Sequence, residues 1–125
     1  MSKKKILLFC SNSDEAGAPK HVESLSREIK KNFNVVLVFG SKGPVGSRLL
    51  ADKFIVHFID RLGSPINLKN DISSLLAFYR IVKFEKPDLI HVHSAKAGMI
   101  GRLVGLLLGI PTVFTVHGWG WRGLN

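Results

Sequence analysis

The sequence has a single cysteine, Cys10, a single tyrosine, and nine acidic residues against eighteen basic ones. A lone thiol closes no internal disulfide and brings no second sulfur to a metal, so a reducing compartment, the cytoplasm, is the expected setting. Long apolar runs are missing as well. The run in MSKKKILLFC ends after Cys10 in SNSDE, too short for the core of a signal peptide and without a cleavage pattern. Leu103 to Val116 is broken by Gly105, Gly109 and Pro111, so it does not read as a membrane span either. Internal repeats and low-complexity segments are also absent, which excludes repeat arrays.

The shortage of acids leaves a formal charge of +9, which predicts a partner that is anionic in some part. The basic residues are scattered from Lys3 to Arg122 without aromatic interleaving or helix-turn-helix spacing, which argues against nucleic acid. Phosphorylated metabolites and an acidic membrane surface remain. With 46% apolar residues over 125 positions, the chain can bury one real core. It is short for an enzyme that must also build a second substrate lobe.

Five short apolar runs read as strands: Lys5 to Cys10, Val35 to Phe39, Phe54 to Ile59, Leu89 to His93 and Thr112 to Val116. Most are continuously apolar, as strands covered on both faces are. Helical patterns separate them. In Pro19 to Asn32, Val22, Leu25 and Ile29 form the stripe, with Glu23 and Arg27 paired on the wet face. A shorter helix is expected around Ser47 to Lys53. Asp71 is expected to cap another, whose stripe is Ile72, Leu75, Leu76, Tyr79 and Val82. In the last, Ile100, Leu103, Val104, Leu107 and Leu108 repeat at helical spacing until Gly109 and Pro111. Strict alternation of strand and helix predicts a doubly wound, Rossmann-like α/β domain with a parallel sheet of order 3-2-1-4-5 and helices on both faces.

In such a sheet ligands bind beyond the carboxyl ends of the strands, where the strand order reverses. His93, Lys96, His117 and both tryptophans fall on that rim. In HVHSAKAGMIGRLVG, a strand-like pattern turns helical at Ser94. Ser94 is a candidate N-cap, the following amides and the helix dipole favour an anion, and Lys96 adds a full charge. An ordinary capped helix fits the same residues. Gly98, Gly101 and Gly105 share a face and read as close packing on the sheet. In AGAPKH, Gly17 permits close backbone approach and Pro19 suits a first helical position, though a plain strand-to-helix turn fits as well. His91 and His93 project to one side of their strand, but no Cys, Asp or Glu completes a ligand set, so His91 is expected in the core, His93 on the rim, and no metal. His117 at a strand's carboxyl end can serve a polar substrate or a purely structural role, and Trp119 and Trp121 are sugar platforms or interface residues.

Taken together, AGAPKH, KPDLIHVHSAKAGMIGRLVGLLLGIP and TVFTVHGWGW resemble the amino-terminal domain of family-four glycosyltransferases, the retaining two-lobed (GT-B) enzymes of bacterial polysaccharide assembly. The resemblance implies that Gly17 approaches the donor diphosphate and that His117 contacts the donor sugar near the reacting centre. Lys96, on the helix-start argument alone, is expected on the phosphates, and Ser94 and Trp119 on substrate. The usual Gly-Gly-Ala-Glu loop is altered here, with Ala16 and Pro19 at its outer positions. The resemblance further implies an acceptor-side lobe whose carboxyl-terminal partner lobe is absent from these 125 residues and which is inactive alone. Its substrates would be a nucleotide-sugar donor and a glycan or lipid-linked acceptor, with no other cofactor. The positive charge suits peripheral contact with an anionic membrane at the inner face, and exposed apolar surface suits self-association. A stand-alone phosphate-binding or regulatory module, and a lobe of a sugar-nucleotide epimerase of the same architecture, remain open alternatives.

Overall fold

The structure, a computed structural model, describes residues 3–15, 17–59 and 68–115. Strands β1 (Lys5–Cys10), β2 (Asn34–Phe39), β3 (Ile55–Phe58), β4 (Leu89–Val92) and β5 (Thr112–Phe114) alternate with helices α1 (Gly17–Ile29), α2 (Pro44–Ala51), α3 (Leu68–Glu85) and α4 (Ala95–Leu108). All strand pairs are parallel, in the order β3-β2-β1-β4-β5, so the doubly wound Rossmann-like expectation is met. Neighbours β1 and β4 have crossovers running in opposite directions, which places the switch point between them.

Continuous apolarity in β1 and β2 has the expected cause, burial on both faces. Leu7, Phe9, Val36 and Val38 face a core closed by Phe78 and Val82 of α3 and Ile100 and Val104 of α4. Their neighbours Leu8, Cys10, Leu37 and Phe39 face a second core closed by Val22 of α1 and by Val45 and Leu49. Successive residues of a strand point to opposite faces, so one run fills both cores.

Several expectations are corrected. Helix α1 begins at Gly17, leaving Pro19 within the first turn rather than at its first position; there, too, no intrahelical amide bond is lost. Helix α2 starts at Pro44, earlier than the apolar spacing indicated, because proline suits a helix start. Asp71 lies inside the first turn of α3 and pairs across to α4 instead of capping. The inward face of α3 is Ser74, Phe78 and Val82, whereas Ile72 and Leu76 are exposed. In α4, Ala97, Ile100 and Val104 are buried while Leu103 and Leu107 face outward. The inward glycines meet the sheet at close range: a methyl group on Gly98 would lie 3.0 Å from Phe114, and on Gly101 or Gly105 it would overlap Val92 or Thr112. Gly109, with φ 69°, ends the helix in the left-handed region, as glycine can at little cost.

The α1–α2 layer is pinned by charge. Glu23 accepts two hydrogen bonds from Arg48, both at 2.7 Å, and one from Arg27 at 3.1 Å. Arg27 also reaches Asp52, and Arg48 reaches Glu15, each at 2.7 Å. The Arg48 guanidinium, helped by Arg27 against the opposing effect of burial, holds the Glu23 carboxyl down at about 2. A depressed carboxylate adds stability that is complete above its unfolded value near 4.5 and is lost as pH falls toward 2. Because Arg48 is exposed, solvent screening limits the network to about 1 kcal/mol. Glu23→Gln is therefore expected to lose about that much at pH 7 and almost nothing near pH 2, read as urea midpoints at both pH values.

Candidate functional site

The rim at the β1–β4 switch point is assembled by backbone and hydroxyl hydrogen bonds. His93 N donates to Phe9 O at 2.9 Å, carrying the β1–β4 ladder past the end of β4. Ser94 is extended, with φ −158° and ψ 161°, and its Oγ accepts from Ala97 N, capping α4. The same Oγ accepts from Ser11 N at 3.2 Å, so one hydroxyl joins the loop after β1 to the start of α4. An N-cap satisfies an amide that the helix leaves orphaned, and the dipole makes that end attractive to anions. No acidic residue occupies the first turn of α4 or of α1, so nothing in either turn offsets that attraction.

Lys96 Nζ sits 3.1 Å from Asp71 Oδ1, holding the cation between α4 and α3. Gly17 opens α1 and is exposed, and a methyl group placed on it would meet no described atom within 4 Å. The fold around it does not require glycine. Thus the topology puts Gly17, Ser94 and Lys96 beyond the carboxyl ends of β1 and β4, and it brings Ser94 into direct contact with the β1 loop. His117, Trp119 and Trp121 lie outside the described residues.

Three imidazoles cross this end of the sheet. His93, expected on the rim, is fully buried, because β4 continues its pairing through that residue and carries the ring under α1. Its ring centre lies 4.0 Å from that of His91 and 5.9 Å from that of His21 on α1. His91 is only half-buried and its Nε2 is 2.6 Å from Thr115 Oγ1, at the exit of β5. Among the described residues no three His, Cys, Asp or Glu side chains converge as metal ligands. Burial raises the Cys10 thiol to about 11, which keeps it protonated and unreactive.

Sequence reasoning missed Ser11, Ser13 and His21. Ser13 is fully buried, its carbonyl accepts from Val45 N at 3.0 Å and its hydroxyl donates to Ser41 O at 2.9 Å. A side chain on Gly43 would collide with the Ser13 backbone, so the β1 loop is clamped onto the start of α2. Nothing in SNSDE marks which serine is buried; only the position after an apolar strand could have drawn notice. The hollows at the amino ends of the strands, about 460 Å³ around Lys5, Lys30 and Phe54 and about 270 Å³ around Lys86 and Pro87, lie at the opposite end of the sheet and have no part in the rim.

The model of the family described as Glycosyltransferase Family 4 matches residues 16–125. An Escherichia coli relative, named UDP-Gal:alpha-D-GlcNAc-diphosphoundecaprenol alpha-1,3-galactosyltransferase, is 36% identical over 93 residues, covering 74% of this chain and 24% of its own. Among solved structures, MurG of Acinetobacter baumannii superposes with a TM-score of 0.71 at 19% identity, over 90% of this chain and 35% of its own. UDP-GlcNAc 2-epimerase of Methanocaldococcus jannaschii superposes at 0.67 with 15% identity, over 89% and 31%. At these identities the two structures speak for the fold alone. The chain spans about a quarter to a third of the length of the curated relatives it matches.

Proposed function

The chain belongs to Glycosyltransferase Family 4, and from that membership we propose that it forms the acceptor-side, amino-terminal lobe of an enzyme moving a sugar from a nucleotide-sugar donor to a glycan or lipid-linked acceptor. The observation that carries this reading is the family match across residues 16–125. The relative's name pairs a UDP-sugar with a diphosphoundecaprenol-linked acceptor. We assign this chain substrates of those two classes.

The rim suits such chemistry. A departing nucleoside diphosphate develops negative charge, and preorganised amides at a helix start stabilise it without reorganising during the reaction. The capped start of α4 offers such amides, and Lys96, steadied by Asp71, adds a cation beside them. Gly17 leaves space for close approach of the diphosphate. His117 is assigned to the donor sugar, and Ser94 and Trp119 to substrate contacts. Positioning by two lobes supplies the rest, with no cofactor beyond the donor. We place the site at the inner membrane face, where the chain's net charge of +9 suits an anionic surface; among the described residues no helix is long and apolar enough to cross a bilayer.

The test supplies the full-length protein with radiolabelled UDP-sugars and a bacterial lipid extract. Label is expected to enter the organic phase, with the donor's anomeric configuration retained in the product. Conversion of the donor into an isomeric sugar nucleotide, or acceptor-free release of nucleotide, would instead identify an epimerase lobe. Saturable nucleotide binding by the 125-residue chain alone, without transfer by the full-length protein, would identify a regulatory module.

A further inference from the structure

Helices α3 and α4 both begin at the rim, with Asp71 in the first turn of α3 and Lys96 in the first turn of α4. The two placements are not equivalent. A helix start favours an anion, so Asp71 is well placed whether or not a cation stands beside it. Lys96 is the second residue of α4, where the same dipole opposes a cation and no acid of that turn relieves it. Relief comes from the neighbouring helix, whose Asp71 Oδ1 lies 3.1 Å from Lys96 Nζ. The lysine therefore gains from any anion brought to it, while the carboxylate gives up little on letting go.

The pair is also loosely made. Glu23 receives two aligned bonds from Arg48, each at 2.7 Å, whereas Asp71 Oδ1 is buried and makes no hydrogen bond among the described residues. Its contact with Lys96 is one of charge without alignment, and such a pair opens more readily than a bidentate one. The side chains keep 22% and 28% of their surface exposed, so neither is sealed in the core.

We propose that Asp71 is a resident counter-ion for Lys96, displaced when a diphosphate reaches the start of α4 and restored when the diphosphate leaves. The carboxylate holds the lysine in place before the ligand arrives, and its negative charge beside the bound anion hastens release. Asp71 thus sets how tightly the rim holds its ligand. This role deepens the transferase reading, and rests on it only in that both assigned substrates carry a diphosphate. A plain tie between two helices predicts the opposite sign, because breaking it would loosen the rim and weaken binding.

Calorimetric titration of the full-length protein with UDP, and with farnesyl diphosphate as a soluble prenyl diphosphate, tests this. Asp71→Asn is expected to tighten one of them about three- to tenfold, since a like charge beside the anion is gone. The ligand that tightens tells whether the donor's or the acceptor's diphosphate meets Lys96. In transfer assays the KM of that substrate is expected to fall together with kcat, as release slows. Asp71→Glu restores the parental affinity, and in a Lys96→Gln background Asp71→Asn loses most of its effect. Unchanged or weaker binding of both ligands overturns the proposal, as does an equal gain in the Lys96→Gln background. So does a fall of roughly 5 °C or more in the thermal midpoint of Asp71→Asn, which would make the pair a structural tie. The two readings fail separately. Sugar transfer with unchanged affinities in Asp71→Asn removes the counter-ion and leaves the transferase, and tightening without transfer to any acceptor does the reverse.

Discussion

Phe78→Ala is expected to lower the unfolding free energy by about 3–5 kcal/mol, the range for emptying a packed aromatic position. For a domain of this size that is a fall of roughly 15 °C in thermal midpoint. Phe78 is fully buried, and its ring stacks on Phe9 with centres 4.1 Å apart and planes 11° from parallel. One ring belongs to α3 and the other to the central strand β1, so the contact seats the long helix on the sheet. The void would be bordered by strand residues fixed in their ladders, which limits collapse and keeps the cost near the upper part of the range. Leu76→Ala on the same helix is the control. With 51% of that side chain exposed, it should cost well under 1 kcal/mol. Urea unfolding of both variants, compared at a common slope, decides the matter, and equal losses would mean that the rotation of α3 assigned here is wrong.

That pair also shows where the sequence was ambiguous. From Leu75 to Phe84 helix α3 is apolar nearly all round, so its spacing supports more than one stripe. The sheet, not the periodicity, selects the face containing Phe78. Helix α4 is ambiguous for another reason: its leucines form a regular stripe, yet its glycines and small residues face inward because β4 and β5 leave no room for more. Strand positions were legible because continuous apolarity has one ready explanation in a doubly wound sheet; alternation and crossover handedness give a parallel sheet but fit more than one strand order, and 3-2-1-4-5 rested on the Rossmann-like pattern as a whole.

The rim was legible only in part. Ser94 declared itself, since a serine at a strand-to-helix seam has an evident use, but its bond to Ser11 joins residues 83 apart and leaves no local trace. Asp71 looked like a cap because it precedes an apolar run. The helix extends beyond it to Leu68, and the carboxylate turns to Lys96 instead. His93 looked like a rim residue because it follows the strand, and the ladder's one extra bond to Phe9 draws it inside. Each of these depends on where a distant backbone lies.

Gly101→Leu tests the link between the close seating of α4 and the rim. A methyl group on Gly101 would already overlap Val92 Cγ1, and it would stand 3.6 Å from Phe9. Leucine needs more space, in a core where Val92 and Phe9 are both fully buried. Leaving glycine in a helix interior returns roughly 1 kcal/mol of propensity, and overpacking of this severity exceeds that gain. The expected net loss is about 2–3 kcal/mol, near 10 °C in thermal midpoint. Relief requires α4 to lift from β4, which would carry Ser94 away from Ser11 and loosen the candidate anion site. Gly17→Ala is the counterpart, for no described atom lies within reach of the added methyl. It should leave stability unchanged or slightly raised, because it removes freedom only from the unfolded chain. If Gly17 serves close approach of a diphosphate, the same variant lowers sugar transfer by the full-length protein while its thermal midpoint holds. Should Gly101→Leu prove neutral, or Gly17→Ala destabilise as much, the division between a packing glycine and a binding glycine would fail.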